Sequence, residues 1–164
     1  ALPAGVNPRS VALARQWRFK EAMAPLAEAD RRWTIANLKA GPHVRAHLWR
    51  LIGFLELDQP QDAAREVAIL SAGTGSDPWV SLYLLRYLVV AGRAAEAVPT
   101  LERFADGNPE NVEVLYALAL GQLALGRKRD AGVTARRALA CVPDGHPTLH
   151  YWREPLTTLL GRTR

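Results

Sequence analysis

Three alanines, Ala63, Ala97 and Ala131, stand at equal intervals of about 34 residues, and each closes a similar segment: Leu57-Asp58-Gln59-Pro60-Gln61-Asp62-Ala63, Ala91-Gly92-Arg93-Ala94-Ala95-Glu96-Ala97 and Leu125-Gly126-Arg127-Lys128-Arg129-Asp130-Ala131. A period of this length is too long for a heptad and too short for a domain. It fits a unit of two helices joined by a turn, which cannot bury its apolar face alone and must stack on its neighbours. Gly92 and Gly126 mark the turns, because the chain leaves a helix most easily through a left-handed residue without a Cβ. The alanine that follows each turn lets the second helix approach the first closely.

Other signals keep the same spacing. Pro109 and Pro143, one period apart, each close a second helix, and Asn108-Pro109 offers an N-cap for the next unit. An earlier copy reads Trp17-Arg18-Phe19-Lys20-Glu21-Ala22, with Gly41-Pro42 breaking any helix in the longer interval that follows. Within Val112 to Leu125 the apolar residues recur at three-to-four spacing. From Lys128 to Cys141 the residues Ala131, Ala135, Ala138 and Leu139 share a face, with Arg136 and Arg137 outward. Helices this short are marginal in isolation, so stacking must supply their burial.

Composition agrees with helices: the 164 residues are 49% hydrophobic and rich in Ala, Leu and Arg, and strand-forming residues do not group into alternating runs. The formal charge is +5, but 16 acidic residues are interspersed among 21 basic ones, which argues for a solvated surface and makes nucleic acid, through Arg127, Lys128 and Arg129 beside Arg136 and Arg137, the lesser alternative. Cys141 is the single cysteine, so no internal disulfide and no cysteine-based zinc cage can form, and its apolar neighbours predict a buried thiol. No run of about 18 apolar residues exists to span a membrane. The chain begins Ala-Leu-Pro-Ala-Gly without Met, as expected of a processed product or of a piece of a longer protein.

Catalytic constellations are absent from the sequence, and the expectation is a protein that is not an enzyme and holds no cofactor or metal. His43 and His47, and His146 and His150, have the spacing of a two-histidine metal pair. They lack the glutamate of the zinc-protease motif, and Gly41-Pro42 and Pro147 interrupt the helices such a pair needs. Gly73-Thr74-Gly75-Ser76 lacks the Lys-Ser/Thr ending of a phosphate loop and reads as a turn into Asp77-Pro78.

The pattern resembles the tetratricopeptide repeat. The resemblance spans roughly residues 3–143 and is sharpest in the last unit, where Leu115, Ala119, Gly126, Ala131, Ala138 and Pro143 occupy the family's small or apolar positions. Asp58 departs from it at the turn of the second unit, and Leu85 at a position usually small in the third. The resemblance implies an all-α, right-handed superhelical stack of about four repeats in a single domain over residues 1–164. The repeats fall at approximately 3–36, 44–77, 78–111 and 112–145, with a C-terminal capping helix over 147–161 that Pro155 would kink.

In that family the first helices of successive repeats line a concave groove. Carrying the groove positions over gives Arg45, Leu48, Ile52 and Leu55 in the second repeat, then Trp79, Leu82, Arg86 and Val89 in the third. The fourth gives Glu113, Tyr116, Leu120 and Leu123, and the first Ala4, Asn7, Val11 and Ala14. The same helical spacing also serves packing between repeats. The implied function is a protein-interaction module, scaffold or adaptor, that binds a peptide or helix of another protein and no small-molecule substrate. Trp79 and Tyr116 serve as anchors, and Arg45 and Arg86 capture carboxylates. The lysines and most of the asparagines that such proteins use to clamp chaperone tails are missing, which disfavours chaperone docking. Two alternatives fit the same pattern: a small tetratricopeptide-type secretion or assembly chaperone, and a regulatory or substrate-recognition domain of a larger bacterial enzyme. The open ends of a repeat stack allow self-association. The expected compartment is the cytoplasm, or the periplasm or exterior if a signal peptide was removed.

Overall fold

A computed structural model describes residues 18–23, 44–73, 77–145 and 149–164, and these are helical, with no strand among them. A helical segment covers residues 19–23. It is followed by α1 (Val44–Glu56), α2 (Pro60–Gly73), α3 (Pro78–Val90), α4 (Ala94–Gly107), α5 (Val112–Ala124), α6 (Lys128–Ala140), a 3-10 turn (Leu149–Trp152) and α7 (Arg153–Arg162). The starts of α1, α3 and α5 are evenly spaced, as are those of α2, α4 and α6, and the interval is that of the three alanines.

The helix endings explain the spacing. Asp58, Gly92 and Gly126 all have left-handed backbone, at φ 54°, 79° and 75°. The next amide bonds back five residues each time: Gln59 to Phe54 at 2.8 Å, Arg93 to Leu88 at 2.8 Å and Arg127 to Gln122 at 2.9 Å. The left-handed residue itself bonds back three, to Leu55, Val89 and Leu123. This is the Schellman ending, which satisfies carbonyls that a helix would otherwise leave without donors. Asp58 thus performs the turn expected of glycine.

The helix starts recur as well. Asn111 caps α5, its side chain accepting from the amides of Glu113 and Val114 at 3.0 and 3.1 Å. Asp77, one period earlier, caps α3 by accepting from Trp79 and Val80 at 2.8 and 3.3 Å, with Pro78 at the first helical position where no amide is missed. The expected cap Asn108 does something else: it follows α4 and donates to the Phe104 carbonyl at 3.0 Å. Asn111 wins because it alone stands immediately before the helix, within reach of its second and third amides.

The chain divides into two compact units, residues 1–83 and 84–164, and the division falls within α3. In the first unit α1 packs along α2. Ala63 is fully buried, as is Ala22 of the 19–23 segment, and Phe19 and Met23 come against Gly53 of α1. In the second unit α4 packs on α5, α5 on α6, and α6 on α7, so that each helix lies against its neighbour in sequence. Ala97, Ala131, Ala135 and Ala138 are fully buried at these crossings, where a larger side chain would hold the helices apart.

Arg18 and Arg93 stand at similar places ahead of Ala22 and Ala97, and each forks onto the glutamate three residues on, Glu21 and Glu96. These bonds draw the Glu96 carboxyl below its ordinary pKa and raise that of Arg93.

Two expectations need correction. Cys141 is partly exposed, because it lies just past the last turn of α6, where the helix no longer shields it. Within the expected 147–161 helix, the described residues form the 3-10 turn followed by α7; Pro155 lies in the first turn of α7, where a missing amide leaves no hydrogen bond unmade. Pro147 lies outside the described residues.

Candidate partner-binding surface

The residues expected to meet a partner occupy three environments. Arg45 at the start of α1 and Trp79 at the start of α3 are exposed, Trp79 at 51%. Leu48, Glu113, Tyr116 and Leu120 are half-buried. Ile52, Leu82 and Arg86 are buried, at 5%, 5% and 4% exposure, so these three contribute to packing inside their own units. Ala4, Asn7, Val11 and Ala14 lie outside the described residues.

Trp79 is positioned by its place in the helix. Asp77 fixes the first turn of α3, and one turn later Tyr83 stacks on the indole, with ring centroids 6.4 Å apart and planes 12° apart. Tyr83 is buried, so the pair presents one aromatic face outward from an anchored base. An aromatic side chain fixed in this way loses little conformational freedom when a partner covers it.

The second unit brings two predicted residues together and adds one that was not predicted. The Arg86 guanidinium lies over the Tyr116 ring, 5.1 Å from its centroid. Tyr116 is also tilted against Trp152 of the C-terminal turn, at 5.0 Å and 59°. Arg86, Tyr116 and Trp152 therefore form a column in which a cation meets a π-face and that ring meets a second ring. Trp152 is 3% exposed. The C-terminal segment thus reaches a first-helix position of the last helical pair, a contact between distant parts of the sequence that no local pattern announces.

A polar cluster lies inside the first unit. Glu66 of α2 is fully buried, and its carboxylate meets two side chains of α1. His47 Nδ1 is 2.6 Å from Oε2, and Arg50 Nη2 is 2.8 Å from Oε1. An imidazole and a guanidinium thus bracket one carboxylate, and the cluster braces α1 against α2 from within. Its trace in the sequence is quiet: Glu66 lies three residues after Ala63 and four before Leu70, both fully buried or nearly so. His47 points to this cluster. Its spacing partner His43, and His146, lie outside the described residues. Among the described residues no three His, Cys, Asp or Glu side chains gather as metal ligands do. No helix among them is long and apolar enough to cross a membrane.

Comparison with protein-family models gives no match for this chain, and comparison with curated proteins gives none either.

Proposed function

We propose that this protein is an interaction module of tetratricopeptide type, which holds a peptide or helix of a partner protein and catalyses no reaction. The observation that carries the reading is the recurrence of one local structure at a constant interval. The same Schellman ending follows α1, α3 and α5, and a fully buried alanine follows each at the same place in α2, α4 and α6. Repeats of this kind build extended binding surfaces by presenting equivalent positions of successive units. Trp79 and Arg45 are first-helix positions that remain exposed, and they are of the residue types that dominate binding energies at interfaces.

Affinity capture from the source cell, with the intact chain as bait, tests this. The informative variant is Arg45→Ala/Trp79→Ala, because both side chains are exposed, although removing Trp79 also uncovers the Tyr83 ring on which it stacks. Captured proteins are identified by mass spectrometry, and thermal unfolding of both baits is measured in parallel. A protein retained by the intact chain and lost from an equally stable variant supports the reading. Equal capture by both baits, or capture by neither, rejects these residues as the binding surface.

A further inference from the structure

Several arginines at the surface are held by carboxylates: Arg18 by Glu21, Arg93 by Glu96, Arg127 by Glu102 and Arg153 by Asp144. Arg45, Arg65 and Arg103, one each on α1, α2 and α4, are exposed and meet no carboxylate among the described residues, whereas the outer side of α6 gathers several such cations on one helix. Arg129, Arg136 and Arg137 are exposed and meet no carboxylate among the described residues. At about 100° per residue, Arg129, Val133, Arg136 and Ala140 fall in one narrow stripe, with Arg137 at its edge. All five are exposed, and Val133 keeps 55% of its surface in water at the middle of the stripe.

The fold extends this face with residues distant in sequence. The end of α7 lies against the start of α6, where Lys128 Nζ donates to the Arg164 carbonyl at 3.3 Å. A Cβ on Gly132 would stand 3.1 Å from Thr163 Oγ1 and 3.5 Å from Arg136 Nη1, so the Arg136 guanidinium and the Thr163 hydroxyl both lie over that bare backbone. Arg162 and Arg164, exposed and likewise without carboxylates among the described residues, flank the same place.

We infer that this face, formed by α6 and the C-terminal turn of α7, is a docking surface for an acidic amphipathic helix of a partner protein. Arg129 and Arg136 are one heptad apart, about 10.5 Å along the helix axis. That span matches two carboxylates at heptad spacing on a facing helix, and Val133 meets an apolar residue midway between them. Guanidinium groups fork onto carboxylates with matched geometry. A nucleic-acid backbone would also find cations here, but it has nothing to place against Val133. A membrane surface would require a broader apolar face than one valine supplies. The surface belongs to the second unit, whereas Trp79 and Arg45 belong to the first, and the inference stands independently of the reading given to those residues.

The test is a fluorescence anisotropy titration of the full chain at low salt. The probe is a labelled synthetic helix carrying Glu at heptad-spaced positions with Leu midway. Controls are the same peptide with Lys for Glu, the same peptide with Ser for Leu, a short DNA duplex, and vesicles containing phosphatidylserine. The acidic Leu peptide is expected to bind more tightly than every control, with affinity falling as salt rises. Arg129→Glu/Arg136→Glu is expected to weaken it by about tenfold or more, since two attractions become repulsions, and Val133→Ser by about threefold. Trp79→Ala is expected to leave it unchanged, which separates this surface from the other. Failure to bind the acidic peptide, equal binding of the Ser peptide, tighter binding of duplex or vesicles, or indifference to the arginine reversal would overturn the inference. All substituted side chains are exposed, and the peptide comparisons on the unaltered chain decide the matter even if a variant unfolds.

Discussion

The helix pairs α1–α2 and α5–α6 have the same register and opposite interiors. Moving two periods along the chain carries His47 onto Leu115, Arg50 onto Leu118 and Glu66 onto Thr134. In the first pair these positions hold a buried carboxylate bridged by an imidazole and a guanidinium. In the second they hold two buried leucines and a threonine, whose hydroxyl donates to Gln122 at 2.8 Å. The alanine three residues before Glu66, and its counterpart before Thr134, are both fully buried. Turn and crossing point therefore set which positions meet, while the chemistry placed there is free to differ. The second filling stabilises by burial and by one hydrogen bond between neutral groups. An ionic one stabilises only when all its members are present, and in exchange disfavours any register that separates them.

The sharpest way to break this comparison is to remove Glu66. Glu66→Ala takes the carboxylate from a buried imidazole and a half-buried guanidinium, with an expected loss of about 3 kcal/mol in urea unfolding. Copying the second pair into the first, as His47→Leu/Arg50→Leu/Phe54→Gln/Glu66→Thr, is expected to leave stability unchanged or to raise it, because the charges leave together and the new threonine hydroxyl keeps its glutamine acceptor. If Glu66→Ala costs under about 1 kcal/mol, the cluster does not brace the pair.

A second contrast uses equivalent glycines. Gly53 of α1 and Gly121 of α5 are also two periods apart. A Cβ at Gly121 would stand 2.6 Å from Val98 Cγ2 and 3.4 Å from Val89 Cγ2, both on stiff, branched side chains in a packed interior. At Gly53 it would meet the sulfur and terminal methyl of Met23, a flexible side chain that can turn aside, and would make only ordinary contact with the Phe19 ring at 3.4 Å. Replacing a helical glycine by alanine itself favours folding by up to about 1 kcal/mol. Gly121→Ala is thus expected to destabilise by about 1–2 kcal/mol net, overpacking outweighing helix propensity. Gly53→Ala is expected to be nearly neutral. Equal effects at the two sites would show that the two glycines serve the same close approach.

What could be read from the sequence was local. The turns at Gly92 and Gly126, the buried alanines and the starts of the helices follow from backbone conformation and from the size of one side chain, and both leave marks within a few residues. Glu66 escaped notice because a glutamate in a helical pattern reads as surface. Only its position between Ala63 and Leu70, facing His47 and Arg50 on a different helix, shows otherwise. The Tyr116–Trp152 contact was equally hidden, since it depends on how the chain returns after α6. Among the residues expected to meet a partner, the sequence could not separate the exposed Trp79 from the buried Leu82 and Arg86: all three recur at helical spacing, and burial depends on which neighbour each face meets.

The last test concerns the turn itself, where the two units differ by one residue. Gly92 and Gly126 enter the left-handed region without penalty, but Asp58 carries a Cβ at φ 54°, against the following carbonyl. Aspartate tolerates this conformation better than most residues, which is why the Schellman bonds survive intact around it. Asp58→Gly relieves the residual strain but gives the unfolded chain more freedom, and the two effects oppose each other. The expected net result is stabilisation of about 0.5–1 kcal/mol, read as a higher urea midpoint with unchanged slope. Gly126→Ala, the reverse change at the equivalent turn, is expected to destabilise by about 1 kcal/mol. A loss of stability in Asp58→Gly would mean that the aspartate side chain holds the α1–α2 turn by an interaction that glycine cannot replace, and the two turns would then be alike in backbone only.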